Sequence, residues 1–218
     1  MIKKILIYSI LSVLLLYLVE QIIEIPYIYK TLIKVPLFLI IPFMLNRVLF
    51  HVKMKFKMSQ KSVVYALLMS LLMLAFIIMT FLVTKQFIHI DNIVIDIQSR
   101  MKISKGIIVI AAVYTVFVNS FIEEYFFRGF IFQGLIGINK PLAFVASSLL
   151  FAIYHIGVFY TWFSLPMMCL ALIGLFIGGL IFSFFVYKTK SVLASYFIHI
   201  GADIAIMIIG VIWIGVFT

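Results

Sequence analysis

Long apolar runs separated by short polar or basic breaks dominate the chain. A helix needs about 20 mostly apolar residues to cross a bilayer core. By that measure the runs at Ile5–Ile23, Leu32–Leu49, Val63–Val83, Gly106–Phe132, Leu142–Phe159, Leu165–Phe185 and Val192–Trp213 predict seven spanning helices. Pro36 and Pro42 fall inside the second run, where they predict a kink or broken turn. Residues 85–105 break the pattern, with Asp91, Asp96, Arg100, Lys102 and Lys105 set among isoleucines; this predicts an interfacial amphipathic helix in preference to an ordered loop. Gly134, Gly137, Asn139 and Pro141 mark a turn between the fourth and fifth spans. Gly174, Gly178 and Gly179 in the sixth span predict close helix approach, with Gly174 and Gly178 at the spacing of small-residue packing motifs.

Composition agrees: 66% of the 218 residues are hydrophobic, 11% are charged, and the mean hydropathy is +1.30. Soluble domains are about 45–50% apolar and about 25% charged. The expected class is therefore an all-α, polytopic transmembrane bundle of about seven spans, with any active site in a cavity within the bundle. Residues 1–105 form N-terminal spans plus the interfacial segment, and residues 106–218 a core of the same single membrane domain. The run after Lys3 and Lys4 is long and is followed by Glu20, Gln21 and Glu24 rather than a small-residue cleavage site, so it is read as a retained span.

The net charge of +10 alters the picture only through its placement. Lys3 and Lys4, the cluster Arg47, Lys53, Lys55, Lys57 and Lys61, Lys140, and Lys188 with Lys190 share one side of a seven-span chain. This predicts a cytoplasmic N-terminus and an external C-terminus in a bacterial plasma membrane. The basic residues of 85–105 fall on the other side and count against that orientation. No polar segment interleaves bases with aromatics, so nucleic acid is not an expected partner, whereas the lipid bilayer is. Cys169, the single cysteine, excludes an intramolecular disulfide and a cysteine-based metal site, and its apolar run predicts a packing role.

Between Gly106 and Tyr187 the only formal charges are Glu123, Glu124, Arg128 and Lys140. A charge in the hydrocarbon layer costs roughly 2.5–3.5 kcal/mol or more, so such residues face a cavity, a partner or a substrate. Glu124 and Arg128 are four apart with the acid first, the favourable order for an ion pair on one helix face. Glu123 points about 100° away and has Phe127 at its i+4 position, which leaves it the freer carboxylate. His155 lies in the fifth span with Phe151 one turn before it; His199 and Asp203 share a face of the seventh. If these groups face the bundle interior, Glu123, His155, His199 and Asp203 meet in one cavity. Glutamate is the natural general base for a water there, and an imidazole can hold that water or donate to an oxyanion. A carboxylate at position 203 can fix the tautomer of His199 or join the site directly. His155, His199 and Asp203 are also the candidate zinc ligands, although no His-Glu-x-x-His helix is present and no metal is favoured. His51 and His89 read as surface residues. Helix pitch places His199 ~12 Å from Ser191 and His155 ~21 Å from Pro141 on the same membrane side, so tilt or a broken helix must bring the two imidazoles level.

These motifs resemble those of the CAAX prenyl endopeptidase and bacteriocin-processing family, the Abi family of intramembrane proteases. The resemblance spans roughly residues 106–210. Two glutamates, three residues and an arginine match Glu123, Glu124 and Arg128; a phenylalanine four before a histidine matches Phe151 and His155; a histidine four before Asn or Asp matches His199 and Asp203. The resemblance implies that Glu123 activates water with help from His155, that His199 and residue 203 stabilise the oxyanion, that Glu124 assists or orients, and that Arg128 ties the site together. It implies a membrane-associated peptide or lipidated protein as substrate. Eukaryotic and archaeal members cleave after a prenylated cysteine, and bacterial relatives are tied to pheromone or bacteriocin maturation and self-immunity. The family is filed with metalloproteases, while a metal-free glutamate mechanism is argued for its prenyl-processing members. Those members carry asparagine where this chain has Asp203. An ionised carboxylate repels an oxyanion, so Asp203 either orients His199, or is neutral, or helps to hold a metal. A non-catalytic immunity or scaffold protein and a small transporter are the competing function classes.

Overall fold

The structure is a computed structural model that describes residues 1–52, 54–100, 102 and 107–212, the side chains of 100, 211 and 212 excepted. Among the described residues, seven helices are long and apolar enough to cross a membrane: α1 (Ile2–Gln21), α2 (Tyr27–Phe50), α3 (Gln60–Phe87), α5 (Ile108–Ile136), α6 (Lys140–Phe159), α7 (Leu165–Thr189) and α8 (Val192–Gly210). No strand occurs among the described residues. The outward faces carry Leu67, Leu71, Leu72 and Phe76 of α3 and Ile173 and Ile177 of α7, all exposed, as suits helices solvated by lipid tails. The protein is an integral membrane bundle.

α2 begins at Tyr27, earlier than hydropathy predicts, because Lys30 and Lys34 lie inside its first turns and are buried. Pro36 opens a π-helical turn, Pro36–Ile40, Pro42 lies in the α-helical turn Ile41–Leu45 that follows, and a second π-helical turn, Asn46–Phe50, closes the helix, so neither proline ends it. α5 carries π-helical turns at Tyr114–Asn119 and Tyr125–Phe132, on either side of the α-helical turn Ser120–Glu124. Such turns are common at functional sites. Here Glu123, Glu124 and Arg128 are all buried.

The segment after α3 is helical but broken. A short 3₁₀ turn at Lys85–Phe87 leads to α4 (Ile90–Ile95), which continues as a π-helical turn at Asp96–Arg100. It does not merely lie on an interface: Ile93 and Asp96 are buried, and Trp162 Nε1 donates to Asp96 Oδ2 at 2.8 Å. Residues 101 and 103–105 of the expected interfacial helix, and the predicted ends at Gly106 and Trp213, lie outside the described residues.

Aromatic rings of α5 fill the core. Phe126 stacks on Phe38 of α2 with centroids 3.9 Å apart, and Phe127 meets Phe151 of α6 edge-on at 5.3 Å. Two glycines set helix approach, and neither is in the predicted pair. A Cβ on Gly179 would lie 2.9 Å from Ser148 Cα, and one on Gly201 would lie 2.4 Å from the Ser70 carbonyl oxygen. α7 therefore packs backbone-close on α6, and α8 on α3. Gly174 and Gly178 face open space, so of the three glycines expected to allow close approach Gly179 does and the spaced pair does not. Cys169 is exposed on the outer face of α7, which replaces the packing role predicted for it.

Candidate active site

α5, α6 and α8 bring the motif residues together around one oxygen atom. Glu123 Oε2 lies 3.9 Å from His155 Nε2 and 3.8 Å from His199 Nε2. Both distances exceed direct hydrogen bonding and suit a bridging water. Each imidazole is oriented from behind. His155 Nδ1 faces the Phe151 carbonyl at 2.7 Å and His199 Nδ1 faces Glu124 Oε1 at 2.9 Å. Both partners are acceptors, so both Nδ1 atoms carry the proton and both Nε2 atoms point inward. His155 is the residue at which the α-helix from Lys140 ends and the short turn Ile156–Phe159 begins. The difference in depth expected from helix pitch does not keep the two rings from the same oxygen.

Glu124 is the anchor. Its Oε1 accepts from Arg128 at 2.8 Å as well as from His199, and both charged partners are fully buried. The Arg128 guanidinium lies over Phe151 at 4.2 Å and Phe182 at 4.8 Å, so Phe151 touches Arg128 on one side and His155 and His199 on others. Glu124, not Asp203, thus fixes the His199 tautomer. Asp203 is on the opposite side of the ring, with Oδ1 3.8 Å from Nε2, while Oδ2 accepts from Ser120 Oγ. The helix register explains the change: His199 and Asp203 share a face, but Nδ1 is turned toward α5.

Glu123 is not the unpaired carboxylate that the sequence suggests. Its Oε1 accepts from Lys34 of α2 at 2.6 Å and from Asn119 Nδ2 at 2.9 Å. Its Oε2 has no hydrogen-bond partner among the described residues. The sequence reading missed Lys34, Asn119, Tyr154 and Ser120. Asn119 stands four before Glu123, a readable signal; Lys34 stands 89 positions away and gives none.

Glu123, His155, His199 and Asp203 line a cavity of about 240 Å³. Its remaining wall is mostly apolar, from Ile93 and Ile97 of the α4 segment, Ala111, Val158, Phe159 and Ile206. No group of three or more His, Cys, Asp or Glu side chains among the described residues is arranged to hold a metal ion, and His155, His199 and Asp203 do not form one. The Lys34 ammonium rests against Glu123 Oε1. His51 and His89 are exposed and stand apart from the site.

Paired glutamates and two inward imidazoles thus meet at a mostly apolar cavity within a polytopic helical bundle. Residues 105–205 match the family model of type II CAAX prenyl endopeptidase Rce1-like proteins, the same stretch that holds all three motifs. That match supports the CAAX prenyl endopeptidase and bacteriocin-processing family for this chain, a family of CAAX-type intramembrane endopeptidases. Neither a curated protein nor a solved structure matches the chain.

Proposed function

We propose that this protein hydrolyses a peptide bond in a small membrane-associated peptide or a lipid-anchored protein, using water activated by Glu123 without a metal. The observation that carries this reading is the convergence of His155 Nε2 and His199 Nε2 on Glu123 Oε2. A water between them donates one proton to Glu123 Oε2 and the other hydrogen bond to His155 Nε2, which turns its lone pair toward a substrate carbonyl. Attack forms the tetrahedral oxyanion. His199, protonated on both ring nitrogens and flanked by Glu124 and Asp203, donates to that oxyanion from Nε2. The C–N bond then breaks, and Glu123 passes its proton to the departing amine. The apolar wall of the cavity suits an aliphatic or lipid-bearing substrate better than a polar one.

In this reading the N-terminus and the basic loops face the cytoplasm, by the distribution of lysine and arginine. The test compares small membrane-associated peptides in cells making the wild type and Glu123→Gln at equal levels. The expected result is one or more peptides that accumulate uncleaved only in the variant. Identical peptide profiles, with function retained by the variant, would favour a non-catalytic immunity or scaffold role.

A further inference from the structure

Lys34 enters the site from α2, outside the stretch of the chain that matches the family. Its side chain is 2% exposed and surrounded by acceptors. Its Nζ donates to Glu123 Oε1 at 2.6 Å, to the Tyr154 hydroxyl at 2.8 Å and to Asn119 Oδ1. An ammonium has three protons, and each has an acceptor here. Asn119 closes the ring by donating from Nδ2 to the same Glu123 oxygen at 2.9 Å. The terminal torsion of a glutamate is broad and roughly two-fold, so a loose carboxylate presents either oxygen. The ring of Lys34, Asn119 and Glu123 removes that freedom: Oε1 takes two hydrogen bonds, and Oε2 is left facing both imidazoles.

We propose that Lys34, assisted by Asn119, is a positioning residue for the reaction. It holds Glu123 with Oε2 toward the water and the scissile carbonyl, and its charge offsets the buried carboxylate. This rests on the reading of Glu123 as the base. A merely structural ion pair would affect folding alone, whereas a positioning residue changes turnover in enzyme that is fully folded.

The test uses the full chain in detergent micelles. The probe is a fluorogenic peptide ending in S-farnesylcysteine and three aliphatic residues. Lys34→Ala and the bulkier Lys34→Met are compared with wild type at matched folded enzyme. Both are expected to lower kcat by roughly 10²-fold while KM moves by less than about threefold, the pattern of lost stabilisation in the transition state. Because Lys34 lines the cavity, ethylammonium is expected to restore part of the kcat of Lys34→Ala, and ethanol is not. Wild-type kcat in both variants, or equal rescue by amine and alcohol, overturns the assignment. Failure of the wild type to cut the probe, or cleavage by Glu123→Gln, counts against the protease reading instead. The pairing of Lys34 with Glu123, without which the assignment fails, is then read from unfolding temperatures. Lys34→Met is expected to lower Tm strongly beside Glu123 and weakly beside Glu123→Gln, where no buried anion is stranded. Equal losses in the two backgrounds overturn it.

Discussion

His199 pairs with Glu124 through Nδ1 at 2.9 Å, although Asp203 lies one turn along its own helix. Glu124 is itself tied to Arg128 at 2.8 Å, so α5 and α8 are joined by one shared oxygen. The consequence is a division of labour between neighbouring glutamates: one holds an imidazole and a guanidinium, and the other faces the cavity.

The two glutamates should therefore fail differently. Glu123→Gln keeps an amide oxygen to accept from Asn119 and Lys34, and the buried lysine it faces can give up its proton as an arginine cannot, so it should lose nearly all cleavage at a smaller cost in Tm. Glu124→Gln removes the charge facing a fully buried Arg128, and stranding a buried ion costs about 3–5 kcal/mol. It should lower both Tm and activity. Size-exclusion profiles and thermal unfolding in micelles, beside cleavage rates, check this; equal Tm for the two variants contradicts it.

Asp203 accepts from Ser120 and stands on the Nε2 side of His199. Asparagine retains the acceptor for Ser120 and can donate to an oxyanion from its amide. Asp203→Asn should keep more than about a tenth of wild-type turnover, whereas Asp203→Ala should lose about 10²-fold, the scale of one supporting contact. An Asn variant as inactive as the Ala variant would show that the negative charge is itself required.

Four glycines form a stability series. Gly201→Ala meets backbone of Ser70 and Gly179→Ala meets backbone of Ser148. Each should cost about 1–3 kcal/mol by overpacking. Gly174→Ala and Gly178→Ala meet nothing within 4 Å and should stay within about 0.5 kcal/mol of wild type. Unfolding in micelles ranks them, and a loss at Gly174 or Gly178 as large as at Gly201 contradicts the packing described.

Activity should survive dialysis against a strong chelator, because the reaction is assigned to Glu123 and two imidazoles, and no group of three ligand side chains among the described residues is arranged around a metal. Metal analysis run beside the cleavage assay decides the matter. Stoichiometric zinc that leaves and returns together with activity would make His155 and His199 ligands.

The seven spans were legible because an apolar run of the right length has one solution in a bilayer. The motif residues were legible because an ionisable side chain in such a run needs a reason to be there. Their pairings were not. Lys30 and Lys34 drew no reading from the sequence, yet Lys34 is bonded to Glu123 and Lys30 to Glu20, a residue of α1. Helical periodicity links a residue to positions three and four away, which is why Glu124–Arg128 was foreseen, and Glu124–His199, 75 positions apart, was not. The glycine spacing misled for a related reason. Gly174 and Gly178 fit a packing motif, but the motif says nothing of which face of α7 meets a neighbour.

Because the counter-charge of Glu123 comes from α2, the stretch that carries the motifs is not a self-sufficient unit of inheritance or engineering. A chain trimmed to α5–α8 would retain both glutamates and both histidines, yet leave Glu123 without its ammonium in a hydrocarbon solvent. A graft of this centre onto another bundle needs at least one further helix, placed so that a lysine meets Asn119 and Tyr154 at the same point. Two fragments severed between α2 and α3 would regain the centre only by reassociating within the membrane.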